Sequence, residues 1–260
     1  MKLLSRLHQS FAVRRFSRWA GVRTGIHIRI KRYTPSASES LRVAMNIFEK
    51  NIDCVIDVGA NEGQFAQSLY DFGYKHKIIS FEPVRKAHEK LVKRAKNYEN
   101  WIVAARCAIG STDSMTYINV SQDTRFSSLL SISADYALNN PKSQTVDFEQ
   151  VEMFSLDKIA NRYLTGTEKL LLKIDTQGFE GQVLKGANNL IRNNVLGLKI
   201  EIPLYSIYQD ADLDFFQTIQ LVKDHGFKPY SFSVEGTDLS TGRVNTIDGL
   251  FFREVNPKTG

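Results

Sequence analysis

The chain has 260 residues, with 34 Lys or Arg against 28 Asp or Glu, a net charge of +6 and a hydrophobic fraction of 42%. That length carries one large α/β domain plus an appendage, and no run of eighteen apolar residues exists to cross a membrane as a helix. Two cysteines, Cys54 and Cys107, exclude a disulfide framework and fit a reducing compartment.

The charge is unevenly spread. Residues 1–33 hold nine Lys or Arg and no acid, which leaves 25 basic and 28 acidic residues for the rest of the chain. The basicity therefore belongs to an N-terminal arm, residues 1–34, and not to the body at 35–260, so it argues little for nucleic acid. Leu4, Leu7, Phe11, Ala12, Phe16, Trp19 and Ala20 share one helical face, with Arg6, Arg14 and Arg18 mostly off it. Three readings of the arm stand side by side. One is a helix lying on an anionic membrane surface. Another is a mitochondrial targeting peptide. The third is a helix packed on the body or on a second subunit, its arginines in water. Arg14, Arg15 and Arg18 interrupt the apolar core that a cleaved secretory signal needs.

After a turn-rich linker at 34–38, Leu41, Ala44, Met45 and Phe48 predict a helix that covers the ligand end of a sheet. Residues 54–58 form an apolar run broken only by Asp57, which predicts a strand buried on both faces. Gly59 and Gly63 follow, and then a helical pattern at Phe65, Leu69 and Phe72 that ends at Gly73. Strand, glycine turn and helix together are the recipe for a nucleotide site. Gly59 permits the tight turn, and Gly63 permits close approach at the helix start. The three-glycine dinucleotide pattern is absent; what stands is D-x-G-x-N-x-G. Asp57 beside that turn argues against a pyrophosphate and for a ligand with a cationic end.

Residues 77–81 predict a second strand ending at Glu82-Pro83. Glu82 follows Asp57 by 25 residues, about one βαβ unit, where an acid accepts hydrogen bonds from both ribose hydroxyls. A helix with Ala87, Leu91 and Ala95 inward comes next. Residues 101–110 read as a third strand running on through Arg106 to Ala108, Ile109 and Gly110, and residues 115–120 alternate as another. The polar stretch 121–150 is too long for a simple connection and is expected to cover the substrate side, residues 125–129 being its most specific part. Residues 151–154 read as a strand and 155–159 as a short helix capped by Ser155.

Residues 169–180 repeat the logic of the first strand. An apolar strand ends in Asp175, a glycine turn follows at Gly178, and Val183, Leu184, Ala187, Leu190 and Ile191 mark a helix. Residues 197–203 predict another strand, with Glu201 near its end. Asp175 and Glu201 are thus expected at adjacent strand ends on the side of the Gly59 turn, with Glu180 beside them. Glu180 has a plainer reading too, as a helix N-terminal acid favoured by the helix dipole. A helix through Leu213, Ile219 and Val222 ends at Gly226, and residues 228–234 and 248–253 look like antiparallel closing strands.

Assembled in order, these segments resemble the FkbM family of class I S-adenosylmethionine-dependent methyltransferases. The matching residues are VIDVGANEGQF at 55–65, SFEP at 80–83, AIG at 108–110, SSL at 127–129, SLD at 155–157, LLKIDTQGFEGQVLKGA at 171–187 and IEI at 200–202, with Asp248 and Phe251-Phe252 closing the series. The resemblance covers about residues 52–253 and leaves the arm outside. It implies a Rossmann-like α/β fold: a mostly parallel seven-stranded sheet with helices on both faces and an antiparallel last strand. It also implies S-adenosylmethionine held by Asp57, Gly59, Ala60, Asn61, Gly63, Phe81, Glu82, Pro83, Ala108 and Ile109. Two residues before AIG the family usually has Asn where this chain has Arg106, which bears on the adenine side.

The implied chemistry is methyl transfer to a hydroxyl oxygen of a sugar, glycolipid or other small secondary metabolite. Asp175 is the first choice for general base or for ligand of a divalent cation, with Glu201 and Glu180 in support. His76, His88 and His225 are alternatives whose places suit structural roles better. A nucleic-acid acceptor is not expected, because Asp175-Thr176-Gln177-Gly178 stands where base-modifying enzymes commonly carry a proline-rich turn. The expected setting is cytoplasmic, with peripheral membrane contact through residues 1–33 under the membrane reading of the arm. The competing function is a non-catalytic S-adenosylmethionine-fold module docked to a membrane or partner through that arm.

Overall fold

The computed structural model describes residues 33–238 and 240–254. By its contacts the chain divides after Glu39. In the described part of the first unit, the backbone N–H groups of Ala37 and Ser38 both donate to the Thr34 carbonyl, closing a turn. The helix expected in the arm lies outside the described residues.

The second unit is built on a seven-stranded sheet. Its strands are β1 (Cys54–Val58), β2 (Lys77–Phe81), β3 (Trp101–Val103), β7 (Leu170–Ile174), β8 (Val195–Pro203), β9 (Phe227–Thr237) and β10 (Val244–Arg253), ordered β3-β2-β1-β7-β8-β10-β9. Pairing is parallel from β3 to β8, while β10 runs antiparallel to both β8 and β9. The chain leaves β1 for β2 on one side and later enters β7 on the other. The carboxyl ends of β1 and β7 thus flank the point where strand order reverses, and open α/β sheets bind ligands at such points.

All five residues of β1 and of β7 are buried, as apolar runs broken only by Asp57 and Lys173 lead one to expect. Side-chain parity sorts them onto two cores. Cys54, Ile56 and Val58 join Leu170, Leu172 and Ile174 on one face, under α5 (Leu156–Ile159), α6 (Glu180–Gly186), α7 (Asn188–Asn193) and α8 (Phe215–Asp224). Val55, Ile78 and Leu171 lie on the other face with α1 (Glu39–Glu49), α2 (Gln64–Asp71) and α3 (Arg85–Ala95). Each fully buried Leu or Ile on these faces contributes roughly 1.5–3 kcal/mol. The buried face of α1 is Val43, Ala44 and Ile47, packed among the second set, so the helix covers a sheet face.

The chain between β3 and β7 departs from expectation. Residues 101–110 are not one strand: β3 stops at Val103, and β4 (Ala108–Gly110) belongs to a separate three-stranded sheet, ordered β4-β6-β5, with β5 (Ser114–Ser121) and β6 (Thr145–Ser155). The break is held by polar contacts that an apolar pattern does not reveal. His88 Nε2 bonds the Ala104 carbonyl at 2.9 Å, and the Arg106 guanidinium donates to the Pro83 and Gln150 carbonyls at 2.8 and 2.9 Å. Strand β6 begins at Thr145, inside the stretch expected to be loop; Val146 and Phe148 alternate with polar neighbours there, but both are exposed. Between β5 and β6 lies only the short helix α4 (Ala134–Asn139) with brief 3₁₀ turns.

The helix expected from Val183 to Ile191 is two helices, α6 and α7. The Asp157 carboxylate accepts from the Asn189 and Leu190 N–H groups at 3.0 and 2.8 Å, capping α7 and stabilising the interruption. No described helix is long and apolar enough to cross a membrane.

Candidate active site

A cavity of about 360 Å³ opens at the carboxyl ends of the strands. It is bounded on one side by Gly59, Ala60, Asn61, Phe81, Glu82, Pro83, Ala108 and Ile109, and on the other by Lys173, Asp175, Gln177, Lys199 and Glu201. Thr124, Arg125, Ser127, Ser128 and Leu129 complete its wall. The segment expected to cover the substrate side therefore does border the cavity. It is pinned there by Ser128 Oγ, which donates to the Gln177 carbonyl at 2.7 Å.

At the β1–β2 end the positions are set by backbone. Gly59 has φ +73°, and a Cβ there would lie 1.8 Å from the Asp175 carbonyl oxygen, so the turn after β1 passes tightly over the start of the β7 turn. Gly63, at φ +85°, does not line the cavity; a Cβ there would strike Leu91 and Trp101 at 2.7 Å. The missing side chain lets α2 pack closely against Leu91 and Trp101. Glu82 is buried and accepts one backbone N–H on each oxygen, from Asn61 at 2.7 Å and Val84 at 2.8 Å. Burial pushes its pKa up to about 7 against those two bonds. Each Glu82 oxygen keeps a second lone pair for a donor in the cavity.

Asp57 lies near the end of β1. Strand parity turns it to the α2 face beside Val55, where it is fully buried and is not part of the cavity wall. Register places it next to Lys173, and Lys173 next to Lys199, in a charged row across three parallel strands. Asp57 Oδ1 lies 3.0 Å from Lys173 Nζ, yet neither Asp57 oxygen accepts a well-directed hydrogen bond. Burial raises the Asp57 pKa, opposed by Lys173. Lys173 Nζ also lies 3.4 Å from Asp175 Oδ2 and donates to the Gly59 carbonyl at 2.9 Å. Burial alone would strip its charge, but Asp57 and Asp175 hold its pKa above the ordinary lysine range. Phe65 covers the row, its ring centroid 5.8 Å from Lys173 Nζ and 5.9 Å from Lys199 Nζ. Lys199 is ion-paired to Asp248.

The β7–β8 end is a cluster of side chains. Asp175 Oδ1 and Glu201 Oε2 both accept from the Gln177 amide, at 2.8 and 2.9 Å, and Tyr208 Oη donates to Gln177 Oε1 at 2.8 Å. Gln177 adopts φ +58°, a left-handed conformation unusual for a side-chain-bearing residue, which aims its amide between the two acids. The carboxyls are driven apart in acidity. Burial would raise Asp175, but Lys173 and the Gln177 amide pull it below the usual range. Burial, reinforced by Asp175 and Glu180, pushes Glu201 well above it. Lys173 and Gln177 thus favour the ionised form of Asp175, while burial and the neighbouring acids favour the protonated form of Glu201.

Glu180 is separate from this pair. Its oxygens accept from the Thr176 N–H and hydroxyl and from the Gly178 N–H, at 2.8, 3.1 and 2.9 Å, and it does not line the cavity. It shapes the 176–178 turn, close to its plainer reading. His76, His88 and His225 are all outside the cavity wall. Cys107 does line it, but burial pushes its thiol up to about 12, too high for a nucleophile.

Sequence reading missed Lys173, Lys199, Gln177 and Tyr208. The lysines carried a signal: each stands inside an apolar strand two residues before an acid, and period two puts both members of such a pair on one face. Gln177 and Tyr208, 31 residues apart, carried none.

The strand order, the cavity at the reversal point and the acid after β2 together define a class I methyltransferase. The methyltransferase FkbM domain matches residues 57–229, about two thirds of the chain. The chain belongs to the FkbM methyltransferase family and is an S-adenosylmethionine-dependent methyltransferase. No curated protein matches it significantly. Among solved structures it is similar to the methyltransferase domain of bacterial CtHen1, with TM-score 0.43, 12% identity, and coverage of 85% of this chain and 100% of that one. It is also similar to Aeropyrum pernix fibrillarin with natively bound S-adenosyl-L-methionine, with TM-score 0.43, 11% identity, and coverage of 76% and 66%. A third similarity is to an rRNA methylase from Streptococcus thermophilus, with TM-score 0.44, 12% identity, and coverage of 87% and 99%. These likenesses are distant and bear on neither the acceptor nor the residue roles.

The cavity's donor set suits S-adenosylmethionine. Glu82 offers free lone pairs to a diol, Phe81, Pro83, Ala108 and Ile109 offer apolar surface to a purine, and Lys173 with Asp175 offers both signs of charge to a zwitterionic end. A divalent cation fits less well between Asp175 and Glu201. The gap is filled by the Gln177 amide, which donates to both, so the two acids do not present converging free oxygens.

Proposed function

We propose that the protein transfers the methyl group to a hydroxyl oxygen of a small acceptor, a sugar, a glycolipid or another small secondary metabolite. The observation that carries this reading is the pair of acids at the ends of β7 and β8, held in one hydrogen-bonded unit by Gln177 and pushed in opposite directions of acidity. Bound S-adenosylmethionine supplies an electrophilic methyl on a sulfonium. Glu82 binds the ribose hydroxyls, and Phe81, Pro83, Ala108 and Ile109 pack on the adenine. Lys173, kept charged by Asp57, positions Asp175. The Asp175 carboxylate accepts the hydroxyl proton as the oxygen is methylated, acting as general base. Protonated Glu201 orients the acceptor as a hydrogen-bond donor. Thr124, Arg125 and Leu129 restrict water at the open side.

The test is incubation of the purified protein with methyl-labelled S-adenosylmethionine and a panel of neutral glycans and glycolipids. Label recovered in an alkali-stable methyl ether is the expected result. Label in RNA, in a methyl ester or in no product from a protein that binds S-adenosylmethionine would overturn the O-directed reading.

A further inference from the structure

A second cavity, of about 440 Å³, adjoins the first and shares Glu201 with it. Its walls are Leu204, Tyr205, Tyr208, Phe215 and Phe216, with Ala211 on the rim. Leu204, Tyr205 and Phe216 are 45%, 40% and 79% exposed, so the apolar wall opens to solvent. No Lys or Arg lines it among the described residues.

The polar groups of this cavity are nearly all committed elsewhere. Glu180 is saturated by the 176–178 turn. Asp214 accepts from the Gln217 N–H, and Gln217 Oε1 accepts from the Asp214 N–H, in the capping box of α8. Tyr208 Oη is spent on Gln177 and Phe126. Glu201 is the exception: Oε2 accepts from Gln177, and no further hydrogen bond reaches the carboxyl among the described residues. A chamber of aromatic and aliphatic walls, three acids and no cation repels an anion. It suits an uncharged body with an apolar face and a hydroxyl directed at the shared acid.

We infer that the second cavity is the acceptor subsite, taking the apolar face of an uncharged, hydroxyl-bearing molecule and presenting its hydroxyl past Glu201 to Asp175. The inference rests on the methyltransferase reading and adds to it the route of entry and the charge of the substrate. Leu204, Tyr205 and Phe216 set the size of what is accepted, while Glu201, common to both cavities, sets the approach of the reacting oxygen.

Calorimetric titration with n-hexyl β-D-glucopyranoside, below its micelle concentration and with S-adenosylmethionine present, tests the subsite without knowledge of the natural acceptor. The wild type is expected to bind it. Ala211→Trp, which fills the chamber, and Leu204→Asp, which charges its wall at an exposed position, are each expected to weaken it at least tenfold, while S-adenosylmethionine affinity changes less than twofold. Hexyl phosphate, with the same tail and an anionic head, is expected not to bind. Cyclohexanol in parallel separates the two neutral sources: tighter binding of the glucoside assigns a sugar, and tighter binding of cyclohexanol a plain ring alcohol. The subsite is overturned if a folded, S-adenosylmethionine-binding protein takes up neither neutral probe, if both variants bind as wild type does, or if hexyl phosphate binds as tightly as the glucoside. Failure of the methyltransferase reading would show separately, as no heat from S-adenosylmethionine itself.

Discussion

The two ends of the cavity are built by different means. Around Gly59, Asn61 and Glu82, the polar contacts run through backbone N–H groups, and the acid is satisfied before any ligand arrives. Around Asp175, Gln177 and Glu201, they run between side chains from β7, β8 and the turns after them, and two acids are held with opposed acidities. The contrast suits two tasks. A rigid, backbone-set end recognises one invariant ligand, because main-chain donors cannot rotate away. A side-chain cluster in low dielectric can hold a proton on one acid and withhold it from the other, which chemistry needs and recognition does not.

The contrast is broken most sharply at Asp175. Asp175→Asn is expected to lower kcat by about 10²–10⁴-fold, the usual range for a general base, with S-adenosylmethionine affinity nearly unchanged in calorimetry. An equal loss of affinity and turnover would place Asp175 at the recognition end instead. Gly59→Ala strikes both ends together, because the new Cβ meets the Asp175 carbonyl at 1.8 Å in a left-handed backbone. A loss of about 2–4 kcal/mol in urea unfolding is expected from strain and overpacking. Glu82→Ala should do the reverse of Asp175→Asn. It removes hydrogen bonds to a charged acceptor, each worth about 1.5–3 kcal/mol, and S-adenosylmethionine affinity should fall roughly 10–100-fold while kcat at saturation holds. Gln177→Ala frees the two acids from each other. A roughly tenfold fall in kcat with little change in affinity is expected, together with a shifted pH–rate profile.

The smallest effect is on stability against pH. Glu82 and Glu180 are raised from 4.5 to about 7, and Glu201 is raised as well. A folded state that keeps protons the unfolded chain has released is favoured at low pH. The contribution of Glu82 and Glu180 is fully present below about 4.5 and is lost as pH rises through about 7. The urea midpoint should therefore decline between pH 5 and pH 7.5, and Glu201→Gln, which keeps the size and the Gln177 contact, should flatten that decline. A midpoint that rises over this window in the wild type would show that these acids are ionised in the folded protein.

Much of this architecture was legible beforehand because it is written in local pattern. The nearly continuous apolar runs at β1 and β7 specify strands buried on both faces, and the Gly59 turn and the acid at position 82 announce a nucleotide-type end. Where the pattern weakens, legibility stops. The stretch from 101 to 110 is apolar apart from Arg106, and nothing in its periodicity marks the point where the chain leaves one sheet for another. Residues 145–150 form an exposed strand whose brief alternation, at Val146 and Phe148, is embedded in a polar stretch. Asp57 was placed by motif at the ligand; by strand period it shares the face of Lys173, and it is fully buried against that lysine.

By itself the sequence determined the order of strands and turns, the acid after β2 and the acids at the ends of β7 and β8, because each depends on residues close together in the chain. Only the tertiary structure decided which of those acids share a cavity, which of them carries a proton, and that Gln177 and Tyr208 join them. Those properties depend on burial and on contacts between segments far apart in sequence. The charged row of Asp57, Lys173 and Lys199 shows the reason directly. Three positions on three strands become neighbours only through strand register, and the charges of Lys173 and Lys199 then bear on Asp175.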